Sequence, residues 1–383
     1  MHRVMAVYGT RPEAIKMAPV VTALGRAPHF EPVVTVTGQH REMLDQVNAL
    51  FGITPSYDLA ILRDRQTLAG MTVRALEGLS DLIARDTPDA VVVQGDTTTS
   101  FVAALAAFYH QVPVFHVEAG LRTGDRYNPF PEEVNRRLTS ELTSLHLAPT
   151  PKSRDNLLAE GIARSSVVVT GNTVIDALLE VVGRGHVSHH PALAGMGERP
   201  TVLVTSHRRE SWGAPMARTA TAVARLAEAF PEVHFLLPAH LNPVVREVLL
   251  PPLTGLSNVT VTEPLDYSDF AFAMEHSLLV LTDSGGVQEE APSLGKPVLV
   301  LRETTERPEA VTAGTVRLVG TDEDLIVEAV TTLLTDQLAY ESMSEAVNPY
   351  GDGRAAARIV GAIGHFFGVA SRPAEFAPEP VRV

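Results

Sequence analysis

The sequence predicts two doubly wound α/β domains that face each other across a cleft. Short apolar runs alternate with helix-length amphipathic segments along almost the whole chain, a pattern typical of parallel sheets covered by helices on both faces. The alternation resumes after a stretch rich in Gly, Pro and His near the middle of the sequence. A chain of 383 residues is also too long for one ordinary hydrophobic core and fits two domains.

Six predicted strands lie in the first half. They are apolar runs bounded by Gly, Pro or acidic residues, and amphipathic segments separate most of them: "RVMAVYG", "PVVTVTG", "AVVVQG", "PVFHVE", "LHLAP" and "VVVTG". Strands of a parallel sheet look like this because both of their faces are buried. Ligands bind such sheets at the carboxyl ends of the strands, so we expect functional residues directly after these runs.

The second half repeats the pattern with "TVLVTSH", "VHFLLPA", "VTVTE", "LLVLTDS", "PVLVLR" and "TVRLVG", and "GRGHVSHHPALAGMGERP" between the halves predicts a linker. We expect an N-terminal domain over residues 1–170 and a C-terminal domain over 171–351. The helical pattern over 352–368 is expected to return to the first domain. Residues 369–383 hold three prolines and no periodicity, which predicts a disordered tail.

Composition excludes several classes of function. The 45% hydrophobic and 20% charged content is typical of a globular protein, and the net charge of −14 argues against nucleic acid or an anionic membrane as a partner. There is no apolar run of about 18 residues and no charged-then-apolar leader, so neither a membrane span nor a signal peptide is predicted. The absence of cysteine excludes thiolate chemistry and suits a reducing compartment, so a cytoplasmic location is expected.

The first predicted strand runs into "GTRPEAIKMAP". Thr10, Pro12 and Glu13 are ordinary signals for the start of a helix. They do not explain Arg11 at the start of this helix or Lys16 one turn later. Cations at a helix N-terminus are unfavourable unless an anion binds there, so this segment predicts an anion site.

Two acids directly follow predicted strands. Asp96 precedes three threonines and a long apolar helix, so a helix cap is its simplest interpretation. Glu118 precedes "AGLRTGD", which is not helical, and a capping role explains it less well. Farther on, Glu132 and Glu133 lie in the first turn of another predicted helix, where one of them can simply compensate the helix dipole. Three acids from separate loops that meet at one edge would form a general acid/base arrangement, with their pKa values raised by burial and mutual repulsion.

The second half supplies cations and glycines. His207, Arg208 and Arg209 directly follow a strand; a lone histidine is more often structural, but this run in an acidic protein favours a phosphate clamp. The segment "LTDSGGVQEEAPSLGKP" predicts an anion site in which the backbone N–H groups of Ser284, Gly285 and Gly286 approach phosphate. A glycine turn needed only for tight packing is the alternative. Glu290, one turn later, has the reach to accept from ribose hydroxyls.

Missing motifs narrow the choice further. There is no GxGxxG, so tightly held NAD is not expected, and no GxxxxGK[ST], so the chain is not a P-loop enzyme. No metal-ligand spacing stands out among the 14 histidines. We therefore expect Arg, Lys and helix ends to neutralise phosphate without a metal.

Several long blocks in consistent order, from about residue 3 to about residue 365, resemble the non-hydrolysing UDP-N-acetylglucosamine 2-epimerases. They include "GTRPEAIKMAP", "TGQHREMLDQV", "GDTTTS", "HVEAGLRTGD", "PFPEEVNRR", "TGNTVIDAL", "HRRES", "TDSGGVQEEAPSLGKP" and "TTERPEAVTAGTVRLVG". The resemblance implies a GT-B fold of two Rossmann-like domains, a homodimer, and no metal or NAD cofactor. It also implies reversible interconversion of UDP-GlcNAc and UDP-ManNAc, which feeds bacterial surface polysaccharide.

The resemblance assigns roles to the residues above. It makes Asp96, Glu118 and Glu132 the acid/base residues and His207 an essential residue near the diphosphate. Arg11, Lys16, Arg208, Ser284, Gly285, Gly286 and Glu290 are the implied substrate-binding residues.

Some bacterial members also bind a second UDP-GlcNAc molecule as an activator. The residues that resemble that site are Gln39, Glu42, Arg65, Glu132, Arg208 and His240. Position 42 is Glu where other members have Gln, which leaves activation an open question.

Four alternatives stay open at this point. A hydrolysing epimerase would run half of the reaction and release UDP and free ManNAc, and a GT-B glycosyltransferase would share the UDP site but need an acceptor groove. Another substrate, such as a UDP-2,3-diacetamido uronic acid, would need different sugar contacts. A UDP-sugar sensor without activity would not need the three acids.

Overall fold

The computed structural model describes residues 1–38, 41–63, 66–208 and 211–378. The chain divides into two compact units: unit 1 comprises Met1–Ala177 and Tyr350–Ala377, and unit 2 comprises Leu178–Pro349. Within these described stretches, no helix is long and apolar enough to cross a membrane.

Unit 1 is built on a seven-stranded sheet in which every strand pair is parallel. The strand order is β3-β2-β1-β4-β5-β6-β7. The strands are β1 (His2–Tyr8), β2 (Phe30–Val36), β3 (Tyr57–Asp58), β4 (Ala90–Gln94), β5 (Val114–Val117), β6 (Leu145–Ala148) and β7 (Val167–Val169). Six of them were predicted, and β3, a two-residue edge strand, was not. The strand order reverses between β1 and β4, and such a switch point is where ligands bind in these sheets.

Helices cover both faces of this sheet. They are α1 (Arg11–Arg26), α2 (Arg41–Leu50), α3 (Leu68–Asp86), α4 (Thr98–Tyr109), α5 (Glu132–Leu142) and α6 (Pro151–Ala159). The next helix, α7 (Thr173–Gly183), begins in unit 1 and ends in unit 2. Val91, Val92 and Val93 of β4 have no exposed surface, because α-helices lie on either side of this central strand. The run of valines is therefore a consequence of burial on both faces.

Unit 2 repeats the architecture with a six-stranded parallel sheet in the order β10-β9-β8-β11-β12-β13. The strands are β8 (Thr201–Thr205), β9 (His234–Pro238), β10 (Val259–Thr262), β11 (Leu279–Thr282), β12 (Val298–Val300) and β13 (Val316–Leu318). Here the order reverses between β8 and β11. The prediction of two doubly wound parallel-sheet units is confirmed.

The helices of unit 2 follow its strands in the same alternation. They are α8 (Ala214–Ala229), α9 (Pro243–Leu249), α10 (Tyr267–Glu275), α11 (Gly285–Glu290), α12 (Pro308–Ala313), α13 (Glu323–Thr335) and α14 (Gln337–Ser344). Helices α8 and α13 pack on one side of the sheet around Val223, Leu226 and Ile326. The last helix, α15 (Ala355–Phe366), belongs to unit 1.

A carboxylate from another helix anchors α15. Asp176 in α7 accepts hydrogen bonds from the backbone N–H groups of Ala355 (3.1 Å) and Ala356 (2.8 Å). These N–H groups have no partner within their own helix, so Asp176 acts as an N-cap from outside. Burial raises the pKa of Asp176 to about 6, although the two hydrogen bonds oppose the shift.

The C-terminal tail corrects one prediction. Residues 369–377 are ordered against β7, the edge strand of the unit 1 sheet. The Phe376 N–H donates to Val169 O at 2.8 Å, Arg372 donates to Val167 O at 2.6 Å, and the Phe376 side chain is buried. The predicted disorder is wrong here because one apolar residue and backbone pairing with an open strand edge offset the lack of periodicity.

The segment predicted as a linker also has structure. Residues 183–200 lie wholly within unit 2 and contain a short 3₁₀ helix, Pro191–Leu193, whose Leu193 is buried. His186 in this segment hydrogen-bonds to Asp269 of α10 at 2.8 Å. The segment therefore packs on unit 2 and is not a free linker.

Candidate active site

Glu118 lies at the carboxyl end of β5, next to the switch point of the unit 1 sheet. Its carboxylate is buried and accepts hydrogen bonds from Lys16 Nζ (2.5 Å), Asn172 Nδ2 (3.0 Å) and Gln94 Nε2. Its backbone φ of +64° lies in the left-handed region, which is uncommon for a residue other than glycine. Such conformations persist where the surrounding structure holds them, and they cluster at functional sites.

Asp96 lies at the end of the neighbouring strand, β4. Arg136 of α5 forms an ion pair with its carboxylate, and the Asp96 backbone carbonyl accepts from Asn135 Nδ2 at 3.0 Å. Burial raises the pKa of Asp96 above its ordinary value; the Arg136 charge opposes the shift and the nearby Glu118 charge adds to it. The helix-cap interpretation of Asp96 is wrong, because Thr97 caps α4 by accepting from Ser100 N.

The adjacent pair Glu132 and Glu133 divides into two different environments. Glu133 is fully buried and accepts from the backbone N–H groups of Thr123 (3.1 Å) and Gly124 (3.3 Å), while pairing with Arg136 and Arg137. Glu132 is half-buried and makes no hydrogen bond or ion pair with the described residues. Glu133 therefore holds the preceding loop, and Glu132 is the acid of this pair that is available for chemistry.

Glu13 joins the starts of two helices at the switch point. It is buried, and its Oε2 accepts from Gly9 N (3.0 Å) and Thr10 N (2.8 Å), while its Oε1 accepts from Thr97 Oγ1 (2.6 Å). Burial raises the pKa of Glu13 and these hydrogen bonds oppose the shift. The dipole compensation predicted from sequence is thus only part of its role, because Glu13 also fixes α1 to α4.

The two predicted cations of α1 differ. Lys16 is paired with Glu118, so a protein carboxylate already supplies the anion that the sequence argument required. Arg11, the first residue of α1, is half-buried and has no hydrogen-bond or ion-pair partner in the described part of the chain. Of these two cations, only Arg11 has a charged group that no described residue pairs with.

In unit 2 the switch point is organised by Asp283, which directly follows β11. Asp283 is fully buried and its carboxylate accepts from the backbone N–H groups of His207 (2.9 Å) and Arg208 (2.9 Å) and from Ser206 Oγ (3.2 Å). These bonds hold the loop that follows β8. Sequence analysis missed Asp283; its signal was an acid directly after a strand, as at Asp96.

His207 presents its ring at this loop. Its Nδ1 lies 3.4 Å from Asp283 Oδ1, and its ring stacks on His240 with centroids 6.3 Å apart. Burial lowers the pKa of His207, the Arg208 and His240 charges add to this, and Asp283 opposes it. A neutral imidazole beside the Arg208 guanidinium is therefore favoured at neutral pH.

The glycine turn after β11 lies against a cation. A Cβ at Gly285 would lie 2.7 Å from Arg307 Nη1, so a larger residue there would displace the end of this flexible side chain. Glu289 holds Arg307 through a 2.7 Å hydrogen bond. The guanidinium of Arg307, which sequence analysis did not single out, thus lies beside this turn. Both interpretations of the glycines, anion binding and tight packing, stay predictions.

Glu290 ends α11 and is buried. Its Oε1 accepts from the Tyr267 hydroxyl at 2.8 Å. This bond fixes the direction of the carboxylate. Its predicted role as a ribose acceptor stays a prediction.

The residues predicted for the activator site are only partly described. Gln39, Arg65 and the side chain of Glu42 lie outside the described residues, as does Arg209. His240 is exposed and stacks on His207, and Arg208 has its Nε buried without a hydrogen-bond partner among the described residues. Across those residues no group of three or more His, Asp and Glu could hold a metal ion.

Comparison with known proteins identifies the family. A family model described as UDP-N-acetylglucosamine 2-epimerase matches residues 22–364. The Escherichia coli (strain K12) UDP-N-acetylglucosamine 2-epimerase is 54% identical over 370 residues, which cover 94% of this chain and 98% of that protein. The chain belongs to the UDP-N-acetylglucosamine 2-epimerase family.

Solved structures of the family have the same fold. UDP-GlcNAc 2-epimerase from Neisseria meningitidis, solved bound to UDP-GlcNAc, is 47% identical with a TM-score of 0.87, over 94% of this chain and 99% of that one. The S. aureus MnaA–UDP structure is 47% identical with a TM-score of 0.89, over 98% and 100% of the two chains. The predicted family, the GT-B-type fold class and the prediction of an isomerase are confirmed, while the roles of individual residues stay predictions.

Proposed function

We propose that the chain catalyses the reversible epimerisation of UDP-GlcNAc to UDP-ManNAc at C2 of the sugar. The family supports the substrate. The observation that carries the reaction is the placement of Asp96 and Glu118 at the ends of adjacent strands, β4 and β5, beside the switch point of unit 1. Their carboxylates are close enough for the charge of Glu118 to raise the pKa of Asp96.

The chemistry requires these groups. The C2 proton of an N-acetylhexosamine is not acidic, so direct removal is not feasible. In the proposed route the C1–O bond to diphosphate breaks with its electron pair leaving on UDP, while a carboxylate takes the C2 proton and a C1=C2 double bond forms. The 2-acetamidoglucal then receives a proton at C2 on its other face, and a diphosphate oxygen adds back to C1. Two acids on opposite faces and cations at the diphosphate supply what this route needs.

The proposed roles divide between the units. In unit 1, Asp96, Glu118 and Glu132 handle protons, and the raised pKa of Asp96 favours a group that can return a proton as well as take one. In unit 2, His207, Arg208 and the turn at Ser284–Gly286 contact the diphosphate, and Glu290 accepts from the ribose.

Conservative substitution of each acid tests these roles. Asp96→Asn, Glu118→Gln and Glu132→Gln are each expected to lower kcat by about 100-fold or more, because each removes a proton-transfer group, while UDP still binds in calorimetry. Glu141→Gln is the matched control, since Glu141 is exposed at the far end of the same helix as Glu132. Near-normal turnover in all three variants would overturn the assignment.

The products of the wild-type chain distinguish the alternatives. Incubation with UDP-GlcNAc and chromatography of the nucleotides should show UDP-ManNAc in equilibrium with the substrate. Free UDP together with free ManNAc would indicate a hydrolysing epimerase instead. If UDP-GlcNAc stays unchanged although the chain binds UDP, the remaining alternatives are a transferase, an enzyme for another UDP-sugar and a sensor.

Three further properties belong to this proposal. We propose that the chain forms a homodimer, that UDP-GlcNAc acts as an activator through a site that includes Arg208 and His240, and that the product supplies ManNAc units for surface polysaccharide. Dimerisation is supported by exposed apolar side chains on neighbouring helices of unit 1: Val73, Phe108, Tyr109 and Leu138. Exposed apolar clusters of this kind mark interaction surfaces.

A further inference from the structure

A buried histidine that the reaction does not use lies between the two strand ends. His116 in β5 has no exposed surface, and its Nε2 lies 2.7 Å from the carbonyl oxygen of Gly95. Because a carbonyl only accepts, Nε2 carries the proton. His116 Nδ1 is buried without a hydrogen-bond partner among the described residues, which is consistent with its being the unprotonated nitrogen of a neutral ring.

The bonded carbonyl belongs to the peptide group that leads into Asp96. The Gly95 carbonyl and the Asp96 N–H share one plane, so a hydrogen bond to the carbonyl sets the direction in which Asp96 leaves β4. Gly95 has a φ of +68°, a conformation that glycine adopts readily. Without His116 the Gly95 carbonyl would be a buried acceptor that lacks this hydrogen bond. Because the backbone of Gly95 is flexible, the turn into Asp96 would then be less well defined.

A second hydrogen bond ties the same turn to Glu118. The Gly95 N–H donates to Val117 O at 3.0 Å, and that carbonyl shares its peptide plane with the Glu118 N–H. The Glu118 carboxylate also lies over this turn, because a Cβ built on Gly95 would be 3.5 Å from Glu118 Oε2. The peptide planes before Asp96 and before Glu118 are thus held by one pair of bonds that crosses between β4 and β5.

We propose that His116 is a positioning residue that sets the separation of the Asp96 and Glu118 carboxylates through the Gly95 carbonyl. The inference rests on the proposed epimerase function. In this proposal His116 contacts neither the substrate nor the reacting atoms and acts through the backbone of Gly95. A displacement of about 1 Å in a group that transfers a proton costs up to about 100-fold in rate.

The surroundings of His116 keep it neutral in this role. Burial lowers its pKa to about 3, and the charges of His146 and Arg122 add to this, while the Gly95 carbonyl and Glu118 oppose it. The ring therefore keeps one proton on Nε2 throughout the working pH range. The charged groups that face Asp96 are Arg136 from α5, Glu118 from β5 and Lys16 from α1.

The neighbouring strand offers a matched control. His146 of β6 pairs in register with His116, is equally buried, and likewise places its Nε2 on a backbone carbonyl, that of Ser140 at 3.1 Å. Ser140 lies near the end of α5, one helical turn after Arg136. Removing either imidazole costs a buried hydrogen bond, but only the bond of His116 ends on the peptide group that leads directly into Asp96.

The experiment compares His116→Phe, His116→Gln and His146→Phe with the wild-type chain. Each is assayed for kcat and KM with UDP-GlcNAc, for the pH dependence of kcat, and for thermal stability. His116→Phe is expected to lower kcat about 10- to 100-fold with KM within about threefold of wild type. The acid limb of the kcat profile of His116→Phe should move to lower pH. When Asp96 moves away from Glu118, the charge of Glu118 raises the pKa of Asp96 less. His116→Gln restores an N–H donor and should recover most of the activity.

The control separates positioning from stability. His146→Phe is expected to lose stability comparable to His116→Phe, yet to keep kcat within about threefold of wild type and an unchanged pH profile. The proposal is overturned if the two phenylalanine variants lose activity equally, if His116→Phe keeps wild-type kcat and pH profile, or if His116→Gln is as inactive as His116→Phe. A wild-type chain without epimerase activity would overturn the proposed function instead, and the wild-type assay shows this separately.

Discussion

At the scale of the residue, the environment of Asp96 determines how it works. Its pKa is raised by burial and by the charge of Glu118, and Arg136 counteracts both. An isolated carboxyl with an ordinary pKa of 3.8 would be ionised throughout the physiological range and could not return a proton efficiently. The balance between burial and the Arg136 charge therefore determines the pH at which Asp96 changes state.

Substitution of Arg136 tests this balance. Arg136→Met removes the charge that lowers the pKa of Asp96, so the acid limb of the kcat profile should move to higher pH. The measurement is a pH–rate profile with UDP-GlcNAc. Arg137→Met is the control, since Arg137 is half exposed and pairs with Glu133. A limb that stays in place, or moves to lower pH, would contradict this account of Asp96.

The sequence predicted where the candidate acids lie better than it predicted their partners. Asp96 and Glu118 were recognisable because each directly follows an apolar strand. Glu132 and Glu133 were indistinguishable, because both suit a first helical turn, and only the fold shows that Glu133 faces inward to the Thr123 loop. Gln94, Arg136 and Asn172 could not be assigned, because each contacts residues that are distant in sequence.

At the scale of the element, the return helix α15 depends on one carboxylate. Asp176 caps it from α7, and its pKa of about 6 lies above the ordinary 3.8. The folded chain therefore binds a proton at Asp176 more tightly than the unfolded chain does. The stability that this group contributes is fully present below its ordinary pKa and is lost as the pH rises through about 6.

Asp176→Asn provides the test, because asparagine keeps an acceptor oxygen but does not ionise. The free energy of unfolding of wild type, measured by urea denaturation relative to the variant, should fall between pH 4 and pH 7 because only the wild-type side chain titrates. A difference that does not change with pH, or that increases as the pH rises, would contradict the raised pKa.

Element boundaries were predictable to different degrees. The strands of both sheets were predicted because apolar runs between Gly and Pro are distinctive. The β7-bound tail was not, because its attachment depends on a single buried side chain, Phe376, and on backbone pairing that leaves no periodic pattern. The short strand β3 was missed for the same reason, since two residues carry no periodicity.

At the scale of the whole molecule, both units place their candidate residues at a switch point of strand order. In unit 1 this point lies between β1 and β4, and in unit 2 between β8 and β11. Parallel α/β sheets bind ligands at such points. This explains why residues from both halves of the sequence could be singled out by one rule, the position directly after a strand.

The proposed homodimer is tested at this scale. Light scattering coupled to size exclusion should give twice the mass of the chain for wild type, and Phe108→Ser with Tyr109→Ser should shift it toward the monomer because these side chains are 56% and 62% exposed. Leu338→Ser is the control, since Leu338 is 77% exposed in unit 2. A monomeric wild type, or equal effects of the two sets, would contradict the assignment of this surface.

The central claim is that protons leave and return at C2 through protein carboxylates. The most direct measurement is an NMR time course of the wild-type chain with UDP-GlcNAc in D₂O, without metal, NAD or acceptor. We predict that UDP-ManNAc forms and that deuterium replaces the C2 proton in both sugars. UDP-ManNAc that keeps its C2 proton would contradict the account.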